Sequence, residues 1–451
     1  MHVHFVGIGG SGVSGLSLMA RSKGYEVSGC DLSESPYFTM VKNEGVKCFT
    51  GHSSDHIQGV DIVVRSTAIP LDNPEIVKAK EEGIEVLSRG QFLAKLVNDQ
   101  TVIGVSGSHG KTSTAWIIFH VLKAAGQNPS VYTGGKCDGR SNVTDGDLQI
   151  IELDESDGSI FEFSPDILLI NNLEFEHPDH YQDSDEMLSK FERYLLNNRP
   201  EILVVGRGFD LSDSLYSMFT PCSFPTAEEI RGGKPFQNIE DYDFYLRDDN
   251  WYLLSDTREV YIGNRREPAH VLQNRSAALM ICEAYLNSLG KKLPDLEERF
   301  WSDLPSVDRR FQVVGEYEGV SLVDDYAHHP SELAALAEQA EFEFNNFGMV
   351  FQPHRFTRFN AFYGKFVEVL SKVEPLVILP VFSAGEKEVG MNSKMLYEDI
   401  KRTTDNEVYY FDSIQEALEF FKDSVDKLHI SALITVGAGD VNKINSCLVT
   451  Q

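Results

Sequence analysis

Cysteine is sparse in this chain, with six residues in 451 and no CxxC pair. Disulfide frameworks and cysteine-paired zinc modules both need closely spaced thiols. The spacing therefore excludes them, and Cys30, Cys48, Cys137, Cys222, Cys282 and Cys447 are expected to be reduced structural residues. Positive charge is also scarce. Forty Lys and Arg stand against 69 Asp and Glu, for a formal net charge of −29. A surface of that sign repels a phosphate backbone, which argues against a nucleic-acid partner. No apolar run reaches the roughly eighteen residues a membrane helix needs, so no membrane insertion is expected. The opening "MHVHFVGIGG" lacks the basic region and cleavage site of a signal peptide, and the expectation is a cytoplasmic protein. There is no internal repeat, low-complexity tract or long charge run.

Glycine, by contrast, is placed with purpose. In "HFVGIGGSGVSGLSLMARSKGYEVSGCD" an apolar run leads into Gly7, Gly9 and Gly12, a helix-like segment follows, and Asp31 comes about twenty residues on. That is the pattern of a dinucleotide-binding turn, in which backbone N–H groups cradle a diphosphate and an acid holds a ribose hydroxyl. Gly9, Gly10, Ser11, Gly12 and Asp31 are thus candidate ligand contacts. The turn alone leaves open a nicotinamide oxidoreductase or another diphosphate ligand.

A chain of this length exceeds one hydrophobic core. Strand-like and helix-like segments alternate in three blocks, 1–98, 99–305 and 306–451, which implies parallel sheets flanked by helices. Between about 207 and 265 the texture changes to short strands such as "DNWYLL" and "REVYIG", expected to form an antiparallel insertion or edge. "HVLQNRSAALMICEAYLNSLG" reads as a helix closed by Gly290.

The second block opens with "QTVIGVSGSHGKTSTAWIIFHVLKAAG". Here Gly107, Ser108, His109, Gly110, Lys111, Thr112 and Ser113 lie between an apolar strand and a helix, the context a phosphate loop requires. Lys111 would reach the β- and γ-phosphates and Thr112 would bind Mg²⁺. The GxxxxGK[ST] spacing is not strictly met, because position 105 is Val and Gly104 lies one residue earlier. Further along, "IIELDESD" brings Glu152, Asp154, Glu155 and Asp157 to a strand end, and spacing does not choose a metal ligand among them. "NNLEFEHPDHY" ends another strand with His177, Asp179 and His180, a candidate second metal position. "VDDYAHHP" and "FQPHRFTR" end strands of the third block. Arg355 and Arg358 there have no evident opposite charge nearby, so they are expected to meet a substrate carboxylate or phosphate.

With these segments in this order, the sequence resembles the Mur ligases over essentially its whole length. The resemblance implies an α/β protein of three domains: Rossmann-like at the N-terminus, a P-loop-type ATPase in the centre, and Rossmann-like at the C-terminus. It implies that the first glycine turn holds the diphosphate of a UDP-sugar and the second loop holds ATP with Mg²⁺. The implied activity is ATP-dependent joining of L-alanine to the lactyl carboxylate of UDP-N-acetylmuramic acid, through an acyl phosphate, in cell-wall peptidoglycan precursor synthesis. A monomer or homodimer is expected.

Carried over residue by residue, Lys111 is the triphosphate lysine, Thr112 and Glu152 are metal-binding positions, and His177 is the second-metal histidine. His270 and Asn274 match the adenine end, and Arg310 and Asp325 match nucleotide contacts of the hinge and third domain. Tyr326, His354, Arg355 and Arg358 line the amino-acid pocket, and His328 or His354 is a candidate to assist deprotonation of the amine. Ser66 and Asn73 join Asp31 near the UDP site. The departures are Ser108 and Ser113 in place of threonines, Glu176 before His177 in place of Asp, and Val271 in place of the first Asn of the adenine segment. A rival within the family joins a murein tripeptide to the same sugar. "DESD", "FQPHRFTR" and "SAGE" (383–386) favour the alanine-adding branch.

Overall fold

Parallel strands covered on both faces read as unbroken apolar runs, and "HVHFV", "DIVVR", "TVIGV" and "DILLI" meet that description. The computed structural model, which describes residues 1–66, 68–137, 141–155, 159–176, 181–206, 222–232, 236–237, 243–255 and 258–449, places each of them inside a parallel sheet. The protein is a mixed α/β chain.

The first sheet is parallel throughout, in the order Lys47–Thr50, Glu26–Asp31, His2–Val6, Ile62–Arg65, Glu85–Ser88. The order reverses at His2–Val6, so the crevice beyond its C-terminal end is where a ligand binds in such a sheet. The glycine turn occupies that position, and the helix Ser11–Ser22 follows it.

The second sheet runs Cys222–Phe224, Ile202–Gly206, Ile167–Ile170, Thr101–Ser106, Leu148–Glu152, Pro129–Cys137, with Ser141–Val143 as an antiparallel edge. Beside it lies a four-stranded antiparallel sheet built from Phe236–Gln237, Asp243–Arg247, Asn250–Ser255 and Arg258–Asn264. The antiparallel texture expected over 207–265 is therefore real for the described residues from 236 onward, whereas Cys222–Phe224 extends the parallel sheet instead. The helix Ala269–Ser288 is apolar on most sides because it packs against both the helix Lys111–Ala124 and the strands beneath. Gly290 follows it with φ +66°, the left-handed position that stops a helix.

The third sheet places Gln312–Tyr317 antiparallel to Val320–Asp325, then continues in parallel through Ala432–Val436, Phe347–Phe351, Leu376–Ile378 and Val408–Tyr410. Separate apolar clusters cover its two faces. One further cluster joins Val3 and Phe5 of the first sheet and Leu16 of the helix Ser11–Ser22 to Tyr132, Ile151 and Leu168 of the second sheet, so these two units share a core. Among the described residues no helix is long and apolar enough to cross a membrane.

Candidate phosphate, metal and substrate sites

The strand Thr101–Ser106 delivers the chain into Gly107, whose φ is +129°. A Cβ there would lie 2.8 Å from the Asn172 carbonyl, so only glycine lets the loop close on the neighbouring strand end. The loop is sewn to that end. Ser108 donates its N–H to the Asn172 carbonyl (3.0 Å) and its hydroxyl to the Glu174 carbonyl (2.8 Å), and His109 donates its N–H to Asn172 Oδ1 (2.8 Å). Gly110 has φ +78°, and the side chains of Asn171 and Asn274 fill the space a Cβ would need. Asn171 Nδ2 also donates to Asn274 Oδ1 at 3.0 Å, which brings the helix Ala269–Ser288 to the loop.

Lys111 begins the next helix. Its Nζ donates to the Gly107 and Ser108 carbonyls (2.6 and 3.2 Å) and meets the buried Glu155 carboxylate at 2.9 Å. Burial alone would lower the ammonium; Glu155, Asp154 and Glu152 outweigh it and hold Lys111 protonated. Thr112, the next residue, donates its hydroxyl to Glu152 Oε2 at 2.9 Å, and the same oxygen accepts from Gly134 N at 2.9 Å. A hydroxyl and a carboxylate side by side at the start of a helix form a hard oxygen set, which suits Mg²⁺. Ser113 follows, half-buried on the same first turn.

The third sheet reaches into this site. His109 Nε2 lies 3.1 Å from Glu174 and its Nδ1 lies 3.3 Å from Glu332, while the Ser331 hydroxyl is 3.0 Å from Nε2. Burial would lower His109, but the two carboxylates win and raise it to about 10. Glu332 is in place because Pro330 starts a helix and Glu332 turns back onto the N–H groups of His328 (2.9 Å) and His329 (3.2 Å).

Asp325 accepts from Phe311 N and Ala327 N, both at 2.7 Å, and burial pushes it up to about 6. Arg310 lies near Glu332 (3.9 Å), and its guanidinium stacks over the Tyr326 ring at 5.4 Å. His354 stacks on Phe382 and is pulled down to about 3 by burial.

Arg358 corrects the expectation of an arginine without a nearby acid. It is 6 % exposed, and its Nη2 is 3.0 Å from Glu176 of the second unit. His328 Nε2 approaches the same carboxylate oxygen at 3.5 Å. Arg355 caps the short helix Phe356–Ala361 with φ +65°.

In the first sheet, Gly7 N and Ile8 N donate to the Cys30 carbonyl (2.9 and 3.0 Å), Gly9 N donates to Asp31 Oδ2 (2.9 Å), and the Ser35 hydroxyl donates to the Gly9 carbonyl (2.7 Å). Asp31 thus holds the turn itself. Gly10 caps the helix whose first residues are Ser11 and Gly12. Asn73 is buried and accepts from Glu75 N at 2.9 Å as a helix cap, and Ser66 N donates to the Val6 carbonyl beside the turn. The Tyr132 hydroxyl donates to the Gly12 carbonyl at 2.5 Å, so the strand Pro129–Cys137 links this turn to Glu152 through Gly134.

The structure therefore gathers Gly107 to Thr112, Glu152 and Asn274 around the loop; the third unit reaches it through Ser331 and Glu332 at His109, with Arg310 beside Glu332, while His328 and Arg358 meet Glu176 and His354 lies beside His328. His270 is half-buried on the helix that carries Asn274, among groups that include Glu338, Gln339 and Arg231, and burial lowers its pKa. His177, Asp157, Asp179 and His180 lie outside the described residues. Sequence reasoning named Glu155 without a role and passed over Asn171, Glu174 and Glu332. The E three residues after His329 was a readable capping signal.

Fold and loop together define a P-loop-type α/β protein in which a Rossmann-like sheet adds a second glycine turn and a third sheet closes on the loop. The model for "Mur ligase family, catalytic domain" matches residues 2–101, and that for "Mur ligase, glutamate ligase domain" matches residues 309–439. The chain is 34 % identical to the UDP-N-acetylmuramate–L-alanine ligase of Carboxydothermus hydrogenoformans, over 98 % of this chain and 95 % of the relative. It is also 34 % identical to the ligase of that name from Rubrobacter xylanophilus, over the full length of both. A crystal structure of UDP-N-acetylmuramate-alanine ligase from Thermotoga maritima superposes with a TM-score of 0.77 at 26 % identity, covering 100 % of this chain and 98 % of the other. The chain belongs to the Mur ligase family.

Proposed function

We propose that the protein joins L-alanine to the lactyl carboxylate of UDP-N-acetylmuramic acid at the expense of ATP. The observation that carries the reading is the triad of Lys111, Thr112 and Glu152 at one helix start, in a chain whose full-length relatives bear that activity in their names. A carboxylate is a poor electrophile. Its oxygen attacks the γ-phosphorus of ATP, ADP leaves, and an acyl phosphate results. The alanine amine then attacks the acyl carbon, phosphate departs, and the amine loses a proton.

The first step brings two anions together, so neutralising charge is the main demand on the site. Lys111, held protonated, and the N–H groups of the helix start would meet the phosphate oxygens. Thr112 and Glu152 would hold Mg²⁺, which neutralises phosphate charge when bound. The turn at Gly9–Gly12, with Asp31, Ser66 and Asn73 around it, would take the UDP-sugar. Asn274 and His270 would lie toward the nucleobase, with Arg310 and Asp325 closing from the third sheet. Tyr326, His328, His354, Arg355 and Arg358 would frame the alanine. His328 or His354 would be the group that takes the proton of the amine.

The test is phosphate release from ATP with Mg²⁺ and UDP-N-acetylmuramic acid, with either L-alanine or the murein tripeptide added. Release with L-alanine alone, with a UDP-sugar–alanine product by mass, is the expected result. Release with the tripeptide alone reassigns the acceptor, and silence with both refutes the reading.

A further inference from the structure

Behind the first glycine turn, away from Lys111 and Glu152, four side chains from four elements converge. We propose that His4, Cys30, His56 and Glu75 form a buried transition-metal site of the zinc class. One donor atom from each lies within 4.8 Å of all the others. Glu75 Oε1 is 3.0 Å from Cys30 Sγ, 2.7 Å from His56 Nδ1 and 3.9 Å from His4 Nε2. A tetrahedral zinc with ordinary bond lengths separates its donors by about 3.3–3.8 Å, and these distances bracket that range.

A hydrogen-bond network is the competing account, and it leaves one atom unexplained. His4 is fully buried, yet its Nε2 has no hydrogen-bond partner and points into the cluster. Its other nitrogen, Nδ1, meets the Ser28 hydroxyl at 2.8 Å. That is the arrangement of a metal-bound histidine, one nitrogen fixed by an outer partner and the other free for the cation. Glu75 Oε1 faces the three other donors and also accepts from Ser53 N at 3.3 Å, while Oε2 accepts from His52 at 3.0 Å. His56 is held by its ring, stacked on Phe49 at 4.2 Å and 10°.

One thiolate, two imidazoles and one carboxylate form a borderline-soft set, matched to Zn²⁺ or Co²⁺ and ill matched to Mg²⁺. On binding, the Cys30 thiol proton leaves to solvent and sulfur donates its pair to the metal. His52 and His56, 14 % and 15 % exposed, mark the way in. Four protein donors close the coordination sphere, so the site is structural. It would tie strand Glu26–Asp31 to helix Pro74–Glu82. Cys30 lies next to Asp31, which holds the turn, and Glu75 lies two residues from Asn73.

The full chain, stripped by a chelator and kept in excess Mg²⁺, is titrated with Co²⁺ alone. One equivalent should bind with a thiolate-to-cobalt charge-transfer band and the intense visible bands of a tetrahedral site, and Zn²⁺ should bleach both. Cys30→Ser should lose the charge-transfer band. His56→Asn, which keeps the sulfur, should weaken Co²⁺ binding at least about tenfold. Circular dichroism establishes that each variant is folded. A folded wild type without the charge-transfer band overturns the proposal. So does a band that persists unchanged in both variants, because the thiol contact then lies elsewhere.

Discussion

Replacing Lys111 by Ala tests the loop most sharply, because the structure gives that lysine two separable tasks. Its ammonium faces phosphate oxygens in the reaction proposed here, and it also faces Glu155, which is 1 % exposed and 2.9 Å away. Loss of one preorganised electrostatic group costs roughly 10²–10³-fold in turnover, or about 2.7–4 kcal/mol. Removing one partner of a buried ion pair costs about 3–5 kcal/mol of stability. Lys111→Ala should therefore be slow and also less stable, and a slow enzyme alone would not distinguish the two causes. Glu155→Gln in the Lys111→Ala background removes the stranded charge. The double variant should recover most of the apparent urea midpoint and none of the phosphate-release rate. Near-normal turnover in Lys111→Ala refutes the electrostatic role. Recovery of rate along with stability in the double variant shows that the lysine only props up the fold.

Three further outcomes follow from the site. Thr112→Val, which keeps shape and loses the hydroxyl on Glu152, should raise the Mg²⁺ requirement by roughly 10–100-fold with UDP-sugar affinity unchanged by calorimetry. Asp31→Asn weakens the charged acceptor for Gly9 N–H, an interaction worth about 1.5–3 kcal/mol, so KM for the UDP-sugar should rise while KM for ATP holds. His109 is raised from 6.5 to about 10, so its stabilising contribution is complete below 6.5 and disappears as pH climbs through about 10. The difference in thermal midpoint between wild type and His109→Asn should shrink across that interval, and a constant difference refutes the charged clasp.

What could be read from the sequence was local. Strand, glycine loop and helix follow one another within a few residues, and apolar runs announce strands buried on both faces, so the phosphate loop and the parallel sheets were legible. The partner of Arg358 was not, because Glu176 lies in the segment after a strand of another sheet and no spacing rule joins them. The acids of "ELDESD" stayed undivided for a similar reason. The strand ends at Glu152, and beyond it alternation no longer tells which carboxylate turns to Thr112 and which to Lys111. The cluster around Cys30 was not legible either. Spacing motifs find ligands that share a hairpin, whereas His4, Cys30, His56 and Glu75 come from two strands, a short 3₁₀ turn and a helix start.

The acids that surround the loop have a consequence for discrimination among anions. Glu155 on Lys111 and Glu332 on His109 act as built-in counterions, tethered at high effective concentration. An incoming anion must displace them, and a small singly charged one offers too little in exchange. In the proposed reaction a triphosphate, with charge spread over many oxygens, would engage the helix start, Lys111 and the metal held by Thr112 and Glu152 at once. On that reading the loop is shielded from small anions such as chloride and yields to a polyanion, so the filter lies in the protein's own negative charge.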